Sequence, residues 1–397
     1  MPKYQYLIIG AGMTGDAAID GIREVDASGA VGVIGSEPQR PYNRPPLTKG
    51  LWKGKPLSSI WRKSDRPGVT FHTGRTAREL DPGGKKVMDD QGTVYEFERL
   101  LLATGGTPRR LEFGGDQIIY YRDLADYEQL RSKTENRTRF AVIGGGFIGS
   151  EIAAALAMNG KQVSLVIPED AICNRIFPSD LATYVNTYYR QKGVEVLTGE
   201  RSVGLEVRGD QFALAIQNAQ TKETRKLPAD AVVAGIGIVP NTGLAKAARI
   251  RVDDGIWVDS ALRTSYPDIY AAGDVANFQD AVLGKRRRVE HEDNANTMGK
   301  AAGRSMAGQA VTYDHLPYFY SDLFELGYEA VGETDSRLET VSDWQDPYKK
   351  GVIYYLKERR VRGVLLWNVW EQVDAARRLI AQPGPFNAAD LKGKLPA

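Results

Sequence analysis

Sulfur is what this chain has least of: one cysteine, Cys173, stands among 397 residues. A single thiol cannot close an internal disulfide, which removes disulfide-stapled folds and fits a reducing cytoplasm. It also removes an internal dithiol relay, because that chemistry needs two cysteines poised together. Cys173, in Ala171-Ile172-Cys173-Asn174, reads as a packed core residue.

A charge excess of either sign is lacking too. The formal net charge is +2, so no global field favours nucleic acid or an anionic membrane as a partner. The densest basic run, Lys285-Arg286-Arg287-Arg288, has no interleaved aromatics and reads as a solvated turn or strand edge. No apolar run approaches the roughly 18 residues that suggest a membrane span. Met1-Pro2-Lys3 leads straight into an apolar run, so no leader segment is expected, and no metal site is expected either. The rest is ordinary for a globular protein, with 42% hydrophobic and 26% charged residues. The length allows two or three domains of roughly 100–200 residues each.

What is present is one kind of glycine turn, used twice. Gly10-Ala11-Gly12-Met13-Thr14-Gly15 follows the apolar run Tyr6–Ile9, and Gly144-Gly145-Gly146-Phe147-Ile148-Gly149 follows Phe140–Ile143. Each reads Gly-x-Gly-x-x-Gly between a β-type run and a helical pattern. The first glycine permits the tight turn, the second lets a pyrophosphate reach bare backbone, and the third lets helix and strand pack closely. Two such turns imply two dinucleotides, and electrons passing between them. About 20 residues beyond each turn stands an acid, Glu37 and Glu169, at the spacing of a carboxylate that binds ribose hydroxyls. Glu169 is flanked by Pro168 and Asp170, with no adjacent arginine to welcome a 2′-phosphate, so NADH is expected over NADPH.

The first unit reads as strand 4–9, helix Met13–Val25 and strand Ala30–Ile34, a βαβ pattern that implies a parallel sheet. The irregular stretch 36–67 is expected to wrap a ligand, and Leu100–Ala103 returns as a buried strand ending at Thr104-Gly105. The second βαβ comprises Phe140–Ile143, helix Ser150–Met158 and Val163–Ile167. An antiparallel excursion over 202–227 and an apolar strand Ala231–Ile238 follow. Strands Gly255–Val258 and Ile269–Ala272 then rejoin the first unit, ahead of a helix over 293–307. From Tyr313 onward come aromatic, β-branched runs, with Lys357–Arg360 as a hairpin loop and a closing helix over 371–381. The expected architecture is α/β, one nucleotide domain nested in another, with a C-terminal α+β domain. The boundaries fall at 1–112, 113–240, 241–312 and 313–397.

Further motifs carry a resemblance. Ser36-Glu37-Pro38 followed by Pro41-Tyr42-Asn43-Arg44-Pro45-Pro46-Leu47-Thr48-Lys49 resembles the signature of apoptosis-inducing factor and bacterial ferredoxin reductases. Val289-Glu290-His291 resembles their later flavin segment. Tyr313-Asp314-His315-Leu316-Pro317-Tyr318-Phe319-Tyr320-Ser321 is similar to plant monodehydroascorbate reductase, and Gly327–Gly332 with the Gly351–Asn368 hairpin to apoptosis-inducing factor. The resemblance covers almost the whole chain. It implies two nested Rossmann-like domains of the glutathione-reductase type, one for FAD and one for NADH, plus a C-terminal interface domain. It offers no cysteine pair beside the flavin, since the segment Pro41–Lys49 holds no sulfur.

Position by position, the resemblance implies that Gly10, Gly12, Gly15 and Glu37 hold the adenosine and pyrophosphate of FAD. Arg44, Lys49, Thr104, Gly105, Arg122, Asp274, Glu290 and His291 would lie along the rest of it. Asp274 follows a strand end, where an acid can equally serve as a helix cap. Gly144, Gly146, Gly149 and Glu169 would hold NADH, with Phe147 covering the nicotinamide face. Lys49 would pair with Glu151 beside the flavin N5; an acid in the first turn of a helix also complements its dipole. Tyr320 would stack near the flavin or pass single electrons, or else be one aromatic in a packed β run. The implied reaction is hydride transfer from NADH to FAD, then single-electron delivery to a ferredoxin- or rubredoxin-type protein, a quinone or a small radical. The alternative is an NADH-sensing flavoprotein that acts through a charge-transfer complex and redox-dependent interactions, as a monomer or a homodimer. Only a short connection joins Thr340 to Gly351, and Asp322–Gly327 departs from the monodehydroascorbate reductase pattern, so neither death signalling nor ascorbyl radical is carried over.

Overall fold

The computed structural model describes residues 1–209 and 211–396. The chain divides into two units, each assembled from three segments: Met1–Arg44, Leu57–Thr107 and Val239–Tyr318 in the first, and Pro45–Pro56, Pro108–Ile238 and Phe319–Ala397 in the second.

The first unit is built on a parallel sheet in the spatial order Val69–Thr73, Val31–Gly35, Lys3–Ile9, Val94–Leu102, with Ile269–Ala271 pairing the far side of Val94–Leu102. Strand Val31–Gly35 is buried throughout and Lys3–Ile9 over its last four residues, as expected of strands in a parallel sheet covered on both faces. Helix Met13–Arg23 packs against helix Glu292–Met306 at backbone contact. A Cβ on Gly299 would meet Thr14 O at 2.4 Å, and one on Gly303 would meet Ala18 O at 2.0 Å. These glycines bring the late helix onto the early one and close the core around Leu7, Ile8, Ile19 and Met298. A hairpin of Ala77–Asp81 and Lys86–Asp89 extends the sheet, and the polar alternation of Ala77–Asp81 had left that strand unrecognised in the sequence.

The second unit holds a five-stranded parallel sheet, in the order Val194–Thr198, Gln162–Ile167, Arg139–Ile143, Ala231–Ala234, Ile118–Tyr120. The strand expected over Ala231–Ile238 stops at Ala234, because Gly235-Ile236-Gly237 turns away before Ile238–Pro240 resumes. The antiparallel excursion is a three-stranded sheet of Glu200–Arg208, Gln211–Asn218 and Thr224–Ala229. The C-terminal sheet is antiparallel, in the order Tyr318–Leu323, Leu326–Gly332, Arg360–Trp367, Lys350–Lys357, Glu339–Asp346, and helix Val373–Ala381 packs on it. Its edge strand Glu339–Asp346 lies where only a short connection was expected.

The basic run is an edge strand, Lys285–Arg287, but it is not simply solvated. Arg287 Nη2 lies 2.8 Å from buried Asp280, and Arg286 stacks 4.3 Å above the Trp257 ring. Among the described residues, no helix is long and apolar enough to cross a membrane.

Candidate functional site

The two glycine turns fold alike. Gly10 has φ +120°, and a Cβ there would meet Ala103 O at 2.1 Å; a Cβ on Gly15 would meet Gly10 O at 2.0 Å. Gly144 has φ +106°, and a Cβ there would meet Gly235 O at 2.5 Å; one on Gly149 would meet Gly144 O at 1.8 Å. The middle glycines differ from these. Gly12 and Gly146 cap helices Met13–Arg23 and Phe147–Met158, no side chain caps either helix, and nothing lies within 4 Å of an added Cβ. Each turn therefore offers open space in front of uncapped amides at the positive end of a helix, which fits a pyrophosphate.

The first unit holds Glu37, Arg44, Thr104, Gly105, Asp274, Glu290 and His291 of the expected FAD residues, whereas Lys49 and Arg122 fall in the second. Glu37 follows strand Val31–Gly35 and accepts hydrogen bonds from Tyr42 Oη at 2.5 Å and from Arg44 Nη2. Gly273, at φ +76° and immediately before Asp274, lies against Thr14 in the first turn of helix Met13–Arg23, where an added Cβ would meet Thr14 Oγ1 at 2.2 Å. Arg288 Nη1 donates to Asp274 O at 3.0 Å and to the Glu290 carboxylate. His291 immediately precedes helix Glu292–Met306, with no side-chain capping bond; burial pushes its pKa down to about 4, Arg287 adds to this, and Asp274 and Asp293 oppose it. Thr104 and Gly105 are clasped to Asn241. Thr104 Oγ1 donates to Asn241 O at 2.8 Å, Asn241 Nδ2 donates to Thr104 O at 2.9 Å, and Asn241 N donates to Gly105 O at 2.9 Å.

One charged group of this unit escaped sequence reasoning. Asp16, buried in helix Met13–Arg23, accepts from Arg62 Nε at 2.5 Å and Arg66 Nη1 at 2.8 Å. Arg62 also donates to Asn43 Oδ1 at 2.8 Å, which ties the strap carrying Tyr42 and Arg44 to the helix. The irregular stretch 36–67 is thus anchored by ion pairs that no local pattern announces.

In the second unit Lys49, Glu151 and Tyr320 come together. The helix begins at Phe147 rather than at Ser150, so Glu151, 4% exposed, stands just past its first turn instead of in it, and accepts from Lys49 Nζ at 2.7 Å. The same oxygen accepts from Ser321 Oγ at 2.5 Å, and the other from Thr48 Oγ1 at 2.5 Å. A buried carboxylate is tolerable here because both oxygens are hydrogen-bonded and a cation is adjacent. Lys49 Nζ also lies 5.2 Å from the centroid of the Tyr320 ring. Phe147 meets Phe319 edge to face at 5.0 Å. The Arg122 amide donates to Asp126 Oδ2 at 2.8 Å, where the chain enters helix Leu124–Asn136.

Glu169 follows strand Gln162–Ile167, and its carboxylate is joined by Arg175 Nη2 at 3.9 Å. Its immediate neighbours hold no arginine, yet the loop folds one back beside it. Cys173 is buried, and burial pushes its thiol pKa up to about 12, so the one sulfhydryl is held protonated and inert.

Paired dinucleotide turns on two parallel sheets, with a buried lysine–glutamate pair and no cysteine pair, define a nucleotide-linked flavoprotein oxidoreductase. The chain belongs to the pyridine nucleotide-disulphide oxidoreductase family, whose model matches residues 4–299. Residues 302–347 and 342–382 match the model of the apoptosis-inducing factor C-terminal region. The chain is 33% identical to apoptosis-inducing factor 1, mitochondrial, of Dictyostelium discoideum, over 95% of this chain and 78% of that protein. It is also 33% identical to monodehydroascorbate reductase 3 of Arabidopsis thaliana, over 96% of this chain and 93% of that one. Putidaredoxin reductase, solved in covalent complex with putidaredoxin, superposes with a TM-score of 0.90 at 27% identity, covering 98% of this chain and 95% of that one. The cofactors are those of the family, FAD and NAD(P)H, and the class of reaction is electron transfer from the pyridine nucleotide.

Proposed function

We propose that this protein oxidises NADH through FAD and hands the electrons on one at a time, with no thiol relay. The observation that carries the reading is the pair of glycine turns, each leaving a helix N-terminus open to a pyrophosphate. Residues 1–112 and 241–312 hold FAD, residues 113–240 hold NADH, and 313–397 form the C-terminal domain. Gly10, Gly12, Gly15 and Glu37 bind the adenosine and pyrophosphate of FAD, and Gly144, Gly146, Gly149 and Glu169 those of NADH. Arg44, Thr104, Gly105, Arg122, Asp274, Glu290 and His291 line the rest of the flavin.

When bound, FAD supplies the chemistry, taking a hydride equivalent from nicotinamide and releasing electrons singly. The protein supplies charge and position. Lys49 presents a fixed cation where negative charge develops, and Glu151 and Tyr320 hold its ammonium in place. Phe147 shields the nicotinamide site from water. Glu169 accepts from the ribose hydroxyls and favours NADH.

The likeness to a reductase captured with putidaredoxin supports a small redox protein of ferredoxin or rubredoxin type as acceptor; quinones and small radicals belong to the same one-electron class. The match of residues 302–382 to the apoptosis-inducing factor C-terminal model favours a second reading, an NADH sensor whose reduced form alters its own association.

Anaerobic NADH titration of the purified yellow protein, followed by stopped-flow mixing with oxidised ferredoxin, decides between them. Rapid reoxidation by ferredoxin supports the enzyme. A reduced form that persists in air and changes oligomeric state supports the sensor. A polypeptide that binds no FAD refutes both.

A further inference from the structure

Ser321 is completely buried, and its hydroxyl goes to a charged side chain 170 positions away rather than to nearby backbone. Ser150, also fully buried, shows the usual arrangement for comparison: its Oγ donates to Gly146 O at 2.8 Å, within its own helix turn. Ser321 Oγ instead donates at 2.5 Å to Glu151 Oε1, the same oxygen that accepts from Lys49 Nζ at 2.7 Å. Thr48 Oγ1 holds the other oxygen at 2.5 Å.

Successive side chains of a strand leave it on opposite sides. Tyr320 and Ser321 are adjacent on strand Tyr318–Leu323, so one strand addresses both partners of the ion pair. Tyr320 offers its ring face to the ammonium, and Ser321 its hydroxyl to the carboxylate. A hydroxyl donated to Glu151 Oε1 draws negative charge from the oxygen that neutralises Lys49, which leaves more of the ammonium's field unspent. In a dry site that field is little screened.

We propose that Ser321 is a positioning residue for flavin reduction: through its hydrogen bond to Glu151 it sets how much of the Lys49 charge acts on the flavin. This rests on the reading of Lys49 as the flavin's charge partner.

The test uses FAD-loaded protein and four variants: Ser321→Ala, Ser321→Thr, Lys49→Met, and Lys49→Met with Ser321→Ala. Two quantities are read: the NADH-driven flavin reduction rate, and the flavin midpoint potential by dye equilibration. Ser321→Ala is expected to slow reduction about tenfold, from the loss of one hydrogen bond to a charged group, and to lower the potential. The KM for NADH stays within about twofold, since no nucleotide contact is lost. Ser321→Thr, which keeps the hydroxyl, restores both quantities. On the Lys49→Met background Ser321→Ala changes neither, because a residue acting through Lys49 has nothing left to act on.

Wild-type rate and potential in Ser321→Ala, with Lys49→Met slow, overturn the proposal and leave the reading of Lys49 standing. A further slowing of the double variant also overturns it, since Ser321 would then act through the fold. Wild-type reduction by Lys49→Met overturns the reading itself. Should Ser321→Ala fail to retain FAD, Ser321→Cys, similar in size but a weaker donor, is held to the same two criteria.

Discussion

Lys49 and Glu151 meet at 2.7 Å, one from an irregular strap and the other from just past the first turn of helix Phe147–Met158. Only 13% and 3% of their side chains are exposed, so the pair is stable because hydroxyls complete the carboxylate's shell. Removing the cation while keeping the stem's bulk isolates its role. Lys49→Met is expected to slow flavin reduction about 100-fold, the scale of losing one preorganised charge contact, while FAD stays bound. Stopped-flow absorbance on the yellow protein checks this; an unchanged rate removes Lys49 from the reaction.

The glycines of each turn divide into two kinds with opposite expected outcomes. Gly12→Ala and Gly146→Ala place a methyl where nothing beyond the adjoining residues lies within 4 Å, so the fold survives and the ligand is obstructed. Gly12→Ala is expected to lose FAD affinity at least about tenfold, and Gly146→Ala to stay yellow while losing NADH affinity to a similar degree. Gly149→Ala drives a methyl to 1.8 Å from Gly144 O and is expected to lower the melting temperature instead. Paired thermal melts and ligand titrations separate the two kinds.

Cofactor choice rests on Glu169, with Arg175 beside it. Glu169→Ala is expected to narrow the preference for NADH about tenfold, because the lone arginine then faces the 2′ position. Adding Arg175→Ala is expected to reverse most of the gain in NADPH use. The ratio of kcat/KM for the two nucleotides reads this directly; an unaltered ratio in Glu169→Ala denies it the ribose role.

Asp16 carries two guanidinium partners in a buried position. Asp16→Ala leaves both cations without their carboxylate and is expected to cost about 3–5 kcal/mol of stability. Urea denaturation of the FAD-bound protein measures it, and a loss below about 1 kcal/mol would show that Arg62 and Arg66 find other partners.

His291 makes stability depend on pH in a defined direction. Its folded pKa of about 4 lies below the ordinary histidine value, so above that ordinary value both folded and unfolded states are neutral and stability is complete. As pH falls from about 6.5 toward 4 the unfolded chain takes up the proton first, and stability declines by at most about 3 kcal/mol. His291→Gln should flatten this interval of the pH–stability curve; an equally steep decline in the variant assigns the loss to other groups.

Both glycine turns and the βαβ units around them were legible because their signals are local: a turn, an apolar run and a helix pattern within thirty or so residues. Strand Glu339–Asp346 was not, since only Val341 among its residues is buried and its alternation carries little contrast. Gly235 and Gly237 broke an apolar run that composition alone made continuous. In the site, Glu37, Glu169 and the Lys49–Glu151 pair followed from spacing or family resemblance. Thr48 and Ser321 did not, because their shared partner lies 103 and 170 positions away and a serine in a β run has no signature. Arg175 was missed because a folded loop, not sequence adjacency, brings it to Glu169.

Strand Lys3–Ile9 is made long before two of its partners: its sheet lacks strand Ile269–Ala271, and helix Met13–Arg23 lacks the covering helix Glu292–Met306, until synthesis has passed Met306. The first unit therefore cannot close until its third segment, Val239–Tyr318, has been made, with apolar surface waiting throughout translation of the intervening residues. Ribosome-stalled nascent chains ending before residue 269 should accordingly be cleaved readily by protease within their first hundred residues, and become resistant only once the late helix has emerged from the exit tunnel.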